Sequence, residues 1–389
     1  MTKSVLFFVH GIGRHGKGWI DEPGGPVETL DAAMKLYPAC FPAGKKLRDY
    51  FDVVEVRYDD IFDHVLKTWS ELANSLPTNT GLSWVSEVQQ LLTKAGDDSN
   101  TFARFGGDVL LYCGFALVAR AARLRMSSVV ASTIFETTVK ANAANQDPPK
   151  FAVIAHSMGT TVAQDALSQL ATGNWVADRS ELERTLASHP TLFNNPDLDD
   201  AQKKAFDSVL EGLAANPDRS IPVGLTGLFL VSNTAPLLRQ SPKFYGDLRT
   251  GSGALDCKEL YVITHEFDPV SRVGRTSTGA PPSRQPIDVE VRHFHDKNIH
   301  GFGHYLSHPA VHSELFGLLV SDFSQACYDS AQSLAKTPLW QGLGGKLKDL
   351  ADDKRAELEG KLREAVSNDK SIVGLRETIE KYFKKLGEL

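Results

Sequence analysis

Phe151-Ala152-Val153-Ile154-Ala155-His156-Ser157-Met158-Gly159 decides how the rest of the chain is read. The run 151–155 is short, apolar throughout and rich in β-formers, as a strand buried on both faces requires. From Thr160 to Leu170, the residues Val162, Ala163, Ala166, Leu167 and Leu170 recur at helical spacing. Ser157 therefore falls at a strand-to-helix corner. A serine at such a corner is forced into a strained backbone region, and its neighbours two away on each side must be small. Ala155 and Gly159 meet that requirement. The Met158 N–H then lies at a helix N-terminus, where unpaired amides and the helix dipole favour negative charge.

A second apolar run, Val5-Leu6-Phe7-Phe8-Val9, leads directly into His10-Gly11-Ile12-Gly13. Glycines after a strand let backbone amides face a ligand. The same loop, Gly11 to Lys17, matches the phosphate-cradling pattern G-x-x-x-x-G-K as far as its lysine. Gly18 then stands where a Ser or Thr hydroxyl would hold Mg²⁺. Residues Trp19 to Pro26, with two prolines and two glycines, also oppose the helix whose N-terminus would bind phosphate.

These two stretches, V-H-G-I-G and A-H-S-M-G, resemble the α/β-hydrolase family, and most closely its compact bacterial lipases with alanine at the corner. The likeness is good over residues 4–19 and 150–170 and looser over 225–320. It implies a mostly parallel sheet, a Ser…Asp…His order along the chain and no cofactor. It also implies an oxyanion hole from the Ile12 and Met158 amides.

Downstream of Ser157, Leu225–Val231 and Glu259–Thr264 are further apolar β-rich runs. The second ends in His265-Glu266-Phe267-Asp268-Pro269. A carboxylate just past a strand end suits the acid of such a triad. Asp268 is the choice, because Pro269 stiffens its turn, and Glu266 competes with it. The histidine-rich stretch that follows holds His293, His295, His300, His304, His308 and His312. Gly301-Phe302-Gly303-His304-Tyr305 offers the loop freedom an imidazole needs, so His304 is expected to be the base and His300 its alternative.

The same histidines raise a metal reading, since His304, His308 and His312 repeat every fourth residue. Pro309, Gly301 and Gly303 oppose a continuous helix there, and no metal is expected. The four cysteines, Cys40, Cys113, Cys257 and Cys327, are far apart and lack C-x-x-C spacing, which predicts thiols in a reducing compartment. Met1-Thr2-Lys3 leads straight into the first core strand, leaving no signal peptide, so a cytoplasmic location is expected. A formal net charge of −6 gives no reason to expect nucleic acid as a partner.

Strands fall at about 4–9, 52–58, 151–155, 225–232, 259–264 and 286–292. They predict an α/β class, with a doubly wound, mostly parallel sheet of six strands. The long connections 59–150 and 172–222 are expected to cap the site within a hydrolase domain spanning 1–335. The apolar part of the first, Val109 to Val118, is too short to span a membrane. Residues 336–389 form a charged helical extension whose charges nearly cancel, suited to a protein partner or self-association. The expected activity is ester hydrolysis on a small-molecule or lipid substrate, through Ser157, His304 and Asp268. The alternatives are a catalytically silent scaffold of the same fold and a nucleotide-binding protein using Gly11 to Lys17.

Overall fold

The computed structural model describes residues 3–11, 13, 15–65, 112, 116–172, 200, 204, 224–238, 257–268, 270–271, 286–293 and 300–341. Six strands, β1 (Ser4–Val9), β2 (Phe51–Val56), β3 (Phe151–His156), β4 (Leu225–Val231), β5 (Cys257–His265) and β6 (Ile287–Val291), form one sheet in the order β2-β1-β3-β4-β5-β6. Every neighbouring pair is parallel. The six expected strands are therefore all present, within two residues at each end.

Helices line both faces, which is why the central strands are apolar at every position rather than at alternate ones. Val5, Phe7 and Val9 of β1, with Val153 and Ala155 of β3, pack beneath α3 (Ala116–Ala143) and α4 (Met158–Thr172). Leu6, Phe8, Ala152 and Ile154 point the other way. There they meet α1 (Pro26–Met34), α6 (Phe302–Ser307), α7 (Pro309–Leu319) and α8 (Gln325–Ala335). Two short helices, α2 (Leu47–Tyr50) and α5 (Ala235–Leu238), complete the described elements used here.

Helix α3 is buried on all sides from Arg125 to Ile134, where small and apolar residues replace the polar outer face of a surface helix. It ends where Asn145 turns left-handed at φ 54° and the Gln146 N–H returns to the Ala141 carbonyl, a six-residue closure that satisfies an orphan acceptor. Helix α7 begins at Pro309, with the His308 Nδ1 accepting the Ala310 N–H as an N-cap.

Cys40, in the turn after α1, and Cys327, in the first turn of α8, are joined in a disulfide across 287 residues of sequence. This corrects the expectation of thiols throughout. Spacing could not show the pair, because the two cysteines meet only once α1 and α8 settle on the same sheet face. Cys257 is a buried thiol that donates to the Glu259 carbonyl, and Cys113 lies outside the described residues. Most of the two expected caps, including 66–111 and 173–199, and all of 342–389 also lie outside them. Among the described residues, no helix is long and apolar enough to cross a membrane.

Candidate active site

Strand β1 hands the chain to β2 on one side, while β3 starts the opposite half of the sheet. The carboxyl ends of β1 and β3 thus flank a topological switch point, where parallel sheets open a crevice. The Gly11 loop and Ser157 both stand there. Their contact is intimate: a Cβ on Gly11 would lie 2.8 Å from the Ser157 Cβ, and one on Gly159 would lie 2.1 Å from the His10 carbonyl oxygen. Close approach of backbone, rather than flexibility, makes these two positions glycine.

Ser157 has φ 51°, a left-handed conformation that costs a non-glycine residue about 1–3 kcal/mol. Its surroundings hold it there. The Ser157 N–H donates to the Val231 carbonyl at 2.9 Å. Its own carbonyl accepts from the Thr160 N–H at 2.9 Å, the Thr160 hydroxyl at 2.6 Å and the Thr234 hydroxyl at 2.9 Å. Thr161 and the Gln164–Asn233 pair extend this fully buried polar network. The sequence shows the corner but not these threonines, whose role depends on β4 lying beside β3.

The Ser157 hydroxyl donates to His300 Nε2 at 2.9 Å, and His300 Nδ1 donates to Asp268 Oδ2 at 2.7 Å. Asp268 is fully buried and receives further hydrogen bonds on Oδ2 from the Ser232 hydroxyl at 2.7 Å and the Tyr305 hydroxyl at 2.5 Å. Its Oδ1 accepts the Val270 N–H at 3.0 Å. Burial pushes the Asp268 carboxyl up, but the His300 charge and the hydrogen bonds from His300, Tyr305 and Ser232 outweigh it, holding the carboxyl well below the usual range. Asp268 thus stays ionised opposite an imidazole. Glu266, its competitor in the sequence, turns instead to Arg292 at 3.2 Å.

His300, not His304, faces Ser157, which corrects the choice between them. The stretch expected to be a mobile loop is α6, and Gly303 is needed for packing: a Cβ there would lie 2.6 Å from the Gly24 carbonyl oxygen. His304 is consequently fixed on a helix, buried, with Nε2 3.0 Å from the His293 carbonyl. His300 sits just before the Gly301 N-cap, at the end of the helix nearest the serine. His156 secures it, with Nε2–H donating to the His300 carbonyl at 2.7 Å while its ring stacks on Phe302. Burial and the neighbouring His300 charge drive the His156 pKa well down, so this donor is neutral imidazole.

Of the remaining histidines of that stretch, His295 lies outside the described residues and His293, His304, His308 and His312 are buried. His312 takes the Tyr37 hydroxyl on Nε2 at 2.6 Å and donates from Nδ1 to the Leu306 carbonyl, and burial lowers its pKa to about 3. His308 Nε2 reaches the Trp340 carbonyl. His265, His293 and His304 bring ring nitrogens within 4.8 Å of one another, close enough to suggest metal ligands. Two observations weigh against that use. His265 Nδ1 accepts the Phe267 N–H at 3.1 Å, which leaves its proton on Nε2, the atom nearest His304. The His293 and His304 rings are stacked at 4.0 Å and 1°, so their in-plane lone pairs run in parallel planes rather than meeting at one ion.

In the first loop, two amides of described residues are turned to carboxylates. The Gly18 N–H donates to both oxygens of Glu55, at 3.0 and 2.8 Å, and the His15 N–H to Asp59 at 2.6 Å. These two amides are therefore not open to a phosphate. Asp59 also stands 3.4 Å from His10 Nε2. Burial opposes its ionisation, but the hydrogen bond and charge of His10, with the His15 amide, bring its pKa down to about 2. Asp59 thereby braces the loop beside Ser157. Met158 is the first residue of α4, with its amide at the corner, whereas Ile12 lies outside the described residues.

Residues 118–220 match a family described as alpha/beta hydrolase of unknown function (DUF900). That stretch runs from α3 through β3 and the serine corner into α4 and beyond. No curated protein and no solved structure matches the chain.

Proposed function

We propose, for a chain whose residues 118–220 match an alpha/beta hydrolase family, that it is a serine hydrolase cleaving carboxylic esters through Ser157, His300 and Asp268. The observation that carries this is the unbroken relay from the Ser157 hydroxyl through both ring nitrogens of His300 to a buried, ionised Asp268. Ser157 attacks the acyl carbonyl and His300 accepts its proton. Asp268 keeps the tautomer and stabilises the imidazolium without taking the proton itself. Collapse of the tetrahedral adduct breaks the ester C–O bond, and His300 protonates the leaving alcohol. Water, activated by the same imidazole, then releases the acid and restores Ser157. The Met158 N–H, with the Ile12 N–H as its partner, is assigned to the oxyanion, each donor contributing about 2.7–4 kcal/mol to the transition state.

A vestigial scaffold has no need of a serine whose left-handed backbone is held by four hydrogen-bonding groups, and that observation favours the enzyme over the silent alternative. The substrate is assigned as a small-molecule or lipid ester, with the segments 59–150 and 172–222 shaping the acyl pocket. Residues 336–389 are assigned to a protein partner or a second copy. The expected cytoplasmic location rested in part on unpaired thiols, and the Cys40–Cys327 bond suits an oxidising compartment better.

Ser157→Ala is expected to lower kcat for p-nitrophenyl esters by about 10⁶-fold. Alanine suffers the same backbone strain as serine, so its melting temperature and circular dichroism should stay close to those of the parent protein. Substantial residual hydrolysis by the folded variant would reject the assignment.

A further inference from the structure

Ser157 is not the only serine held in a left-handed conformation. Ser232, at the carboxyl end of β4, has φ 49°. The two corners are built alike on adjacent strands: the Ser157 N–H donates to Val231 of β4, and the Ser232 N–H donates to Ile263 of β5 at 2.9 Å. Glycine would occupy the Ser232 position without strain. A serine there carries both the backbone strain and the burial of a hydroxyl, since Ser232 is fully buried. Something must offset that cost, and the contacts of its side chain show what. The Ser232 hydroxyl donates to Asp268 Oδ2 at 2.7 Å and lies 3.2 Å from His300 Nδ1.

We infer, building on the proposed hydrolase chemistry, that Ser232 is a positioning residue for the base: its strained backbone aims a hydroxyl that holds the Asp268 carboxylate and the His300 ring in working register. The hydroxyl hydrogen is used on Oδ2, and its lone pairs face the Nδ1–H. One hydroxyl thus ties the acid to the base from the β4 side, while Tyr305 donates to the same Oδ2 from α6. Among the described residues, the other groups on this pair are Ser157, on His300 Nε2, His156, on the His300 carbonyl, and the Val270 N–H, on Asp268 Oδ1. Removing one donor concentrates charge on Oδ2, which then holds the imidazolium more tightly. Loss of the donor should therefore show in the pH dependence of the rate as well as in its size.

Ser232→Ala and Ser232→Gly separate this role from a structural one. Alanine keeps the strain and loses the hydroxyl, whereas glycine loses both. Both variants are expected to lower kcat for p-nitrophenyl esters about tenfold, the effect of one charge-assisted hydrogen bond. KM should change little, and the acidic limb of the pH profile should move to higher pH. Ser232→Gly should melt no lower than Ser232→Ala, showing that activity and stability have parted. A Ser232→Gly protein with the parent kcat and acidic limb would overturn the inference and leave the triad standing. A parent protein that is folded yet cleaves no ester in a chain-length series would instead overturn the proposed function, and the inference with it.

Discussion

His300→Ala is expected to lower kcat/KM for ester hydrolysis by about 10⁶-fold, and His304→Ala to leave most of the activity in place. The two residues are one helical turn apart in sequence and both are imidazoles, so the contrast tests geometry alone. His300 lies 2.9 Å from the serine hydroxyl and 2.7 Å from the acid. His304 packs against His265 and His293, with centroids at 5.2 and 4.0 Å. Truncating it opens a cavity and removes its hydrogen bond to the His293 carbonyl, which should cost about 2–3 kcal/mol of stability. Denaturant unfolding beside steady-state kinetics reads both effects. An inactive but stable His304→Ala, or an active His300→Ala, would reverse the assignment.

Loss of the Cys40–Cys327 bond is expected to have the largest effect on stability. It closes 287 residues of chain, and on the chain-entropy model a loop of that length stabilises by at most about 5–6 kcal/mol. The bond ties α8 to the turn after α1, on the sheet face that also carries α6 and hence the approach to His300. Cys327→Ser, or reduction of the parent protein, should therefore lower the denaturant midpoint sharply while leaving the triad residues intact. Alkylation after unfolding without reductant should leave Cys40 and Cys327 unmodified, and a peptide map showing both alkylated would contradict the bond.

How much of this could be read from the chain follows from the range over which each signal acts. The strands are legible because burial on both faces demands unbroken apolar runs such as Val5–Val9 and Phe151–Ala155, and that demand is local. The serine corner is legible for the same reason, its small neighbours being set by contacts within a few residues and with one facing loop. Asp268 is legible from its place just past a strand. The base was not, because six histidines occur within twenty residues and only packing tells them apart. In the sequence Gly303 suggests loop freedom, whereas in the fold it is glycine so that α6 can touch the Gly24 backbone. Ser232, Tyr305 and the disulfide leave no local signal of their roles, because each acts across distant parts of the chain. Val231-Ser232 ends its apolar run much as His156-Ser157 does, and that echo was the one available signal for the second left-handed serine.

The account depends on an activated hydroxyl at residue 157, and mass spectrometry after exposure to a fluorophosphonate tests it most directly. One adduct on the peptide containing Ser157 is expected, abolished in Ser157→Ala and strongly slowed in His300→Ala. An unmodified protein, or an adduct mapped to another residue and unaffected by either change, would contradict it.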